Sequence, residues 1–199
     1  MMSSWSLLLF VLLMSSLASF GWGMSKFFLK PTGDTAGMKV IRAFSTVTAL
    51  LHFAAILVTP CKPTQSLVAA AMYASGLALF FWAISANRKR SLSAAFSQDL
   101  PSHLVTWGPY RMIRHPFYTA YLMAWTAGYL GTGRLWLLPT LAGMIIVYFT
   151  AALKEEDKFA SSRLAEQYRT YQQCTGRFLP NPAAWWIRRR KESDAASLA

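Results

Sequence analysis

The stretch "FYTAYLMAWTAGYLGTGRLWLLPTLAGMIIVYFTAAL", Phe117 to Leu153, carries one formal charge, Arg134. Its apolar character breaks once, at the Gly-Thr-Gly-Arg run from Gly131 to Arg134. Clustered glycines between two apolar segments mark a turn. Two segments joined so closely run antiparallel, so the stretch predicts a helical hairpin, Phe117 to Leu130 and Leu135 to Leu153. With so little polar relief, the hairpin belongs in a membrane rather than in water. Pro116, just before it, fits the first turn of a helix, where its missing N–H costs nothing.

Three further apolar segments precede the hairpin: Trp5 to Trp22, Val40 to Thr59 ahead of Pro60, and Ser66 to Ala86. Each is about as long as a bilayer crossing requires, roughly 17–25 residues. No Lys or Arg precedes the first, which predicts a retained membrane helix rather than a cleaved signal. The segment from Phe117 is the short one, and reads either as a thinned span or as a slightly re-entrant one. The expected fold is therefore all-α and polytopic, with about five transmembrane helices. The bulk composition agrees. Of 199 residues, 54% are hydrophobic and only 14% charged, where soluble domains carry about 25%.

A formal charge of +12 raises the question of nucleic acid. The positions of the charges answer it. If the N-terminus lies outside, all of the 20 Lys and Arg except Lys62 and Arg134 fall on the inner face. That bias is the positive-inside pattern, and it requires an odd number of spans. The chain is accordingly expected in a cell inner membrane, or in the endoplasmic reticulum of a eukaryote, with its C-terminus cytosolic, lipid around it and no nucleic-acid partner. Cys61 and Cys174 then lie on opposite sides and cannot pair. His52, His103 and His115 are too scattered for a metal site.

The expected organisation is three membrane helices over 1–86 and a cytosolic connection over 87–116. The hairpin occupies 117–153, a cytosolic C-terminal segment 154–187, and a basic, disordered tail 188–199. A connection as long as 87–116 is usually functional or disordered. In the C-terminal segment Phe159, Leu164, Tyr168 and Tyr171 form an amphipathic strip.

Two inner-face clusters bracket the hairpin. "GPYRMIRHPFY", Gly108 to Tyr118, sets Arg111, Arg114 and His115 beside a helix start. That is a place for an anion, although basic anchors at a lipid boundary give the same pattern. "KEEDKF", Lys154 to Phe159, puts three acids at the negative end of a helix dipole. Such a local conflict points to a site, and structural pairing with nearby cations is the alternative. The outer turn returns both clusters to one face, where they offer an anion site and a cation site suited to a zwitterionic, amino-acid-like ligand. There is no phosphate loop, no nucleophile elbow and no dinucleotide fingerprint.

Together, "GPYRMIRHPFYTAYL" and "KEEDKF", with "LAEQYRTYQQCTGRFLP" following, resemble the isoprenylcysteine carboxyl methyltransferase family in its small prokaryotic-type form. The likeness covers Val105 to Pro180, and extends to the first three helices in architecture only. It implies an S-adenosylmethionine site, leaving S-adenosylhomocysteine, built on the cytosolic side from the last hairpin and the C-terminal region. It implies cofactor-binding roles for Tyr110, His115, Pro116, Tyr118, Glu155, Glu156 and Tyr168, with Tyr171 in the same segment. Arg114 and Arg177 are the expected catalytic cations, holding an acceptor carboxylate. Leu164-Ala165 replaces the family's Phe-Gly pair, and Gln172 to Cys174 stand where eukaryotic relatives carry basic residues. The expected activity is transfer of a methyl group to a lipophilic acceptor such as an isoprenylcysteine carboxylate. A lipid amine or small thiol as acceptor, a membrane NADPH-dependent reductase, and a non-catalytic scaffold are the competing readings.

Overall fold

A computed structural model describes residues 3–28, 36–88 and 100–182. The expected tail from residue 188 lies outside them. The described residues form six helices, α1 (Ser4–Phe27), α2 (Ala36–Val58), α3 (Pro63–Asn87), α4 (Pro116–Thr132), α5 (Leu138–Ala160) and α6 (Ala165–Gln173). No strand is present among them, only an isolated bridge between Ile113 and Gly176. The protein is all-α and polytopic.

Local chemistry sets the helix starts. The Ser3 hydroxyl accepts from the Ser6 N–H to cap α1. Pro63 opens α3 and Pro116 opens α4. Gly133, at φ 63°, ends α4, and its N–H donates to the Tyr129 carbonyl at 2.7 Å. Only glycine adopts that left-handed position at little cost, so the hairpin turn sits there. A short 3-10 turn, Leu135–Leu137, then leads into α5.

Four helices are long and apolar enough to cross a membrane: α1, α2, α3, and α5 with its preceding turn. Their outward faces carry Leu7, Val11, Leu50, Leu67, Val68 and Ile146, all exposed in the isolated chain. The fourth expected span is α4, with 17 residues. At 1.5 Å per residue it is about 26 Å long, less than the ~30 Å hydrocarbon thickness. It lies deep in the bundle, with Ala120, Ala124, Ala127 and Gly128 buried. Small residues bring α3 and α4 close: a Cβ on Gly76 would stand 3.3 Å from the Ala120 carbonyl oxygen. At Gly131 it would meet Leu9 of α1 at 2.6 Å and Ala69 of α3 at 3.0 Å.

α2 is fastened by fewer groups. Its His52, fully buried, lies with Nδ1 2.8 Å from the Thr48 carbonyl and Nε2 3.1 Å from the Trp125 carbonyl of α4. His52 is thus packed into the bundle as a link between α2 and α4. Gly128 makes the room, since a Cβ there would come within 2.3 Å of the imidazole. Cys61 and Cys174 are both free thiols.

The Arg134 guanidinium marks one end of the bundle, donating to the Thr59 hydroxyl at 2.7 Å. The other end gathers the α1 C-terminus, the α4 N-terminus and the α5 C-terminus around a cleft.

Candidate active site

The cleft encloses about 1000 Å³ counting its open mouth. One wall is the approach to α4. Gly108, at φ 60°, starts a 3-10 turn through Arg111, which buries Pro109 and Tyr110. The chain then passes through Arg114 and His115 before Pro116 starts α4. Pro116 disfavours helical geometry at His115, which has φ −122° and ψ 63°. The second wall is the last turns of α5, which continues past Leu153 to Ala160 and so holds Glu155, Glu156 and Lys158 on rigid helix. The third is α6, with Tyr168 and Tyr171. Leu100 to Val105 and Phe28 complete the lining.

α6 and the residues after it are laced to the α4 approach. The Gly176 N–H donates to the Met112 carbonyl at 3.2 Å, the Arg114 N–H to Gly176 at 2.8 Å, and the His115 N–H to Arg177 at 3.1 Å. The Tyr171 hydroxyl donates to the Tyr110 carbonyl at 2.8 Å. Gly176 lies so close to the turn that a Cβ would be 1.8 Å from the Leu179 carbonyl oxygen.

The two adjacent glutamates have different surroundings. Glu156, 6% exposed, is the hub. Its carboxylate receives the Arg114 Nε at 3.1 Å, His115 Nε2 at 3.1 Å, both Nε and Nη2 of Arg177 at 3.0 and 2.8 Å, and Gln172 Nε2 at 3.3 Å. Arg114 also donates to the carbonyls of Gln172 and Thr175. Arg177 lies over the Phe149 ring, 5.0 Å from its centroid. Glu155, 23% exposed, lines the cleft. It accepts from the Tyr118 hydroxyl at 2.6 Å and pairs with His115 Nδ1 at 3.3 Å.

His115 therefore stands between two carboxylates, which only accept. Both ring nitrogens must carry hydrogen to satisfy both contacts, so the ring is an imidazolium. Burial alone would push its pKa down. The hydrogen bonds and fields of Glu155 and Glu156 outweigh burial and raise it. Burial raises the pKa of Tyr110 and of Tyr168, so both remain neutral hydroxyls. Tyr110 accepts from the buried Asn87 amide at 3.0 Å.

Of the residues singled out in the sequence, Tyr110, Arg114, His115, Pro116, Tyr118, Glu155, Tyr168 and Tyr171 all line the cleft. Glu156 and Arg177 do not; they sit behind the wall and bind the groups that form it. Sequence reasoning did not single out Lys158 as a site residue, although it follows Glu155 by one helical turn. It also missed Phe28 and Leu100 to Val105, which carry no local signal. Among the described residues no cluster of His, Cys, Asp or Glu has the makings of a metal site.

A bundle of apolar helices with an aromatic-walled cleft at the end of its last hairpin, carrying a few charged groups such as Glu155 and His115, has the form of a membrane-embedded enzyme. The sequence model of the phospholipid methyltransferase family matches residues 64–167, just over half of the chain. The chain belongs to that family, which is the family of isoprenylcysteine carboxyl methyltransferase-like membrane methyltransferases, and is thus an integral membrane methyltransferase. No curated protein matches it. The matched region takes in α3, α4, α5 and the start of α6, and so most of the cleft wall. Membership leaves the reductase alternative without support.

Proposed function

We propose that the chain uses S-adenosylmethionine to methylate a lipophilic acceptor taken from the membrane, such as an isoprenylcysteine carboxylate. The observation that carries this is the division of labour between the paired acids: Glu156 is saturated by cations, while Glu155 turns toward the cleft. The lining suits the cofactor. Glu155 can accept from an ammonium or a ribose hydroxyl. Tyr110, Phe117, Tyr118, Phe159, Tyr168 and Tyr171 offer faces to an adenine ring or a sulfonium. When bound, the cofactor supplies an electrophilic methyl group on a positively charged sulfur.

The chain's own residues then have these roles. His115 and Tyr118 fix both oxygens of Glu155. Pro116 begins α4 so that Tyr118 stands two residues in, at the cleft wall. Glu156 binds Arg114 and Arg177, and through them holds the 175–178 segment against the α4 approach. With their charges engaged there, both arginines act as positioning residues. The wall aligns donor and acceptor, which is where most of the catalytic gain of such a transfer arises. A carboxylate acceptor is ionised near neutral pH and needs no base. A lipid amine or small thiol would have to lose a proton, and Glu155 is the carboxylate on the wall to take it.

The basic end of the bundle, and with it the cleft and the C-terminus, lies on the cytosolic side in this reading, in a cell inner membrane or the endoplasmic reticulum.

The test is titration of the purified protein in detergent with S-adenosylhomocysteine, together with labelled-methyl transfer into membrane extract. Wild-type protein binds the compound and labels a lipid-soluble product. Glu155→Ala weakens binding about tenfold or more, as expected for loss of a charge-assisted contact. No binding by the wild type, or unchanged binding by Glu155→Ala, sinks the assignment.

A further inference from the structure

One buried hydroxyl beside the cleft takes no part in the network around Glu155 and Glu156. Tyr121 stands on α4 one helical turn beyond Phe117 and Tyr118, which line the cleft. It therefore lies about 4.5 Å deeper along the bundle than Tyr118. It is 8% exposed, and its hydroxyl is buried with no hydrogen-bond partner among the described residues. Its ring centroid is 4.6 Å from that of Phe20 on α1 and 5.6 Å from that of Tyr148 on α5. The two tyrosines around it are engaged. Tyr118 donates to Glu155 at 2.6 Å, and Tyr148 accepts from Trp125 Nε1 at 3.4 Å. The groups close enough to act on the Tyr121 hydroxyl through space are Tyr148, Tyr110 and Glu155, and the last two line the cleft. The hydroxyl thus lies on the cleft side of the ring. Tyr118, with its ring 6.3 Å from that of Tyr121, faces the cleft in front of it. The Tyr118 hydroxyl is held there by its bond to Glu155. A ligand on Glu155 competes for that bond and frees the Tyr118 ring to swing aside.

A buried hydroxyl without a partner costs free energy, and a ligand oxygen that accepts from it removes that cost. Two ligands meet in the cleft on the reading given above. The methyl donor is water-soluble and enters by the open mouth. The acceptor is lipophilic and arrives from the membrane, the side on which Tyr121 lies among Phe20 and Phe80. We propose that Tyr121 is an acceptor-binding residue, its hydroxyl donating a hydrogen bond to an oxygen in the polar end of the lipophilic acceptor. This rests on the reading of the cleft as a methyl-transfer site. The oxygen belongs either to the carboxylate of a prenylated amino acid or to the phosphate of a phospholipid.

The experiment compares full-length wild type with Tyr121→Phe, which keeps the ring and removes only the hydroxyl. In detergent it measures S-adenosylhomocysteine binding and the thermal midpoint of the ligand-free protein. With S-adenosylhomocysteine bound, it then measures binding of N-acetyl-S-farnesylcysteine and of phosphatidylethanolamine. Tyr121→Phe weakens at least one lipid about 3- to 30-fold and leaves S-adenosylhomocysteine within about twofold. The thermal midpoint does not fall, because no bond within the protein is lost. Weakening of the farnesylcysteine assigns the oxygen to a carboxylate, and weakening of the phospholipid assigns it to a phosphate. Lipid affinities within about twofold of wild type overturn the proposal. So does an equal weakening of S-adenosylhomocysteine, which would give the hydroxyl to the methyl donor. A lower thermal midpoint would give it to a partner inside the protein, such as a buried water, and overturns the proposal too. Wild-type protein that binds S-adenosylhomocysteine but neither lipid also overturns it. Wild-type protein that binds no S-adenosylhomocysteine overturns instead the reading of the cleft beneath it.

Discussion

At the scale of single residues, the site is governed by which charges neutralise which. His115 is the most exposed to pH, because its charge is kept by two carboxylates against the cost of burial. Its pKa in the folded protein lies above the ordinary value of about 6.5. A raised histidine contributes stability fully at pH below about 6.5, and that contribution is lost as pH rises through the folded pKa. The thermal midpoint of the protein in detergent is therefore expected to fall as pH is raised from 6.5 toward 9. His115→Gln, which keeps a hydrogen-bonding group but cannot titrate, removes that part of the slope. Parallel pH profiles for wild type and His115→Gln would count against the imidazolium. The acids and bases of this network were visible in the sequence as two clusters of opposite sign. Their pairing was not, because Glu155 and Glu156 differ only by the 100° a helix turns per residue. That rotation sends one carboxylate toward the cleft and the other into the cations behind it. Arg177 and Gln172 reach Glu156 through a chain reversal that no spacing announces.

At the scale of elements, the helix limits were legible wherever a proline or glycine sets them. Pro63, Pro116 and Gly133 mark a start or a stop close to where the sequence places it. The α4 turn came slightly later than the glycine run suggests, because Gly131 and Thr132 remain helical and only Gly133 takes the left-handed conformation. What stayed hidden is how helices approach. Gly128 reads as one more small residue in an apolar run, yet it is the seat of the His52 ring. Gly128→Ala places a methyl carbon 2.3 Å from the imidazole, so either the ring or α2 must move. An overpacked site of this kind costs about 1–3 kcal/mol. His52→Ala opens the space and removes the link to the Trp125 carbonyl. The double variant is expected to be more stable than the sum of the two single losses, since residues in contact do not add. Thermal unfolding of the four proteins completes the cycle, and strict additivity would show that His52 and Gly128 are not coupled as the structure has them.

At the scale of the whole molecule, the charge distribution and the cleft meet. Lys26 in the last turn of α1, Lys39 and Arg42 at the start of α2, and Lys158 at the end of α5 belong to the end of the bundle where Phe28, His115 and Glu155 line the cleft. Arg134 is bound at the opposite end, beside Thr59 and one residue beyond the cap of α4. One end of an apolar bundle is thus basic and carries the site, while the other has little charge. Basic side chains are retained on the cytoplasmic face, both by the insertion bias and by anionic lipid there. On the proposed reading, a site for a water-soluble methyl donor gains from facing the cytosol, and the same asymmetry would put it there. A C-terminal fusion to alkaline phosphatase, which is active only outside a bacterial inner membrane, is therefore expected to be inactive. The same enzyme fused after Lys62 is expected to be active. Exchanging Arg111, Lys154, Arg163 and Arg169 for Gln should weaken the preference, while adding lysines around Arg134 should compete with it. An active C-terminal fusion to the unaltered chain would place the cleft outside, and a cytosolic methyl donor could not then reach it.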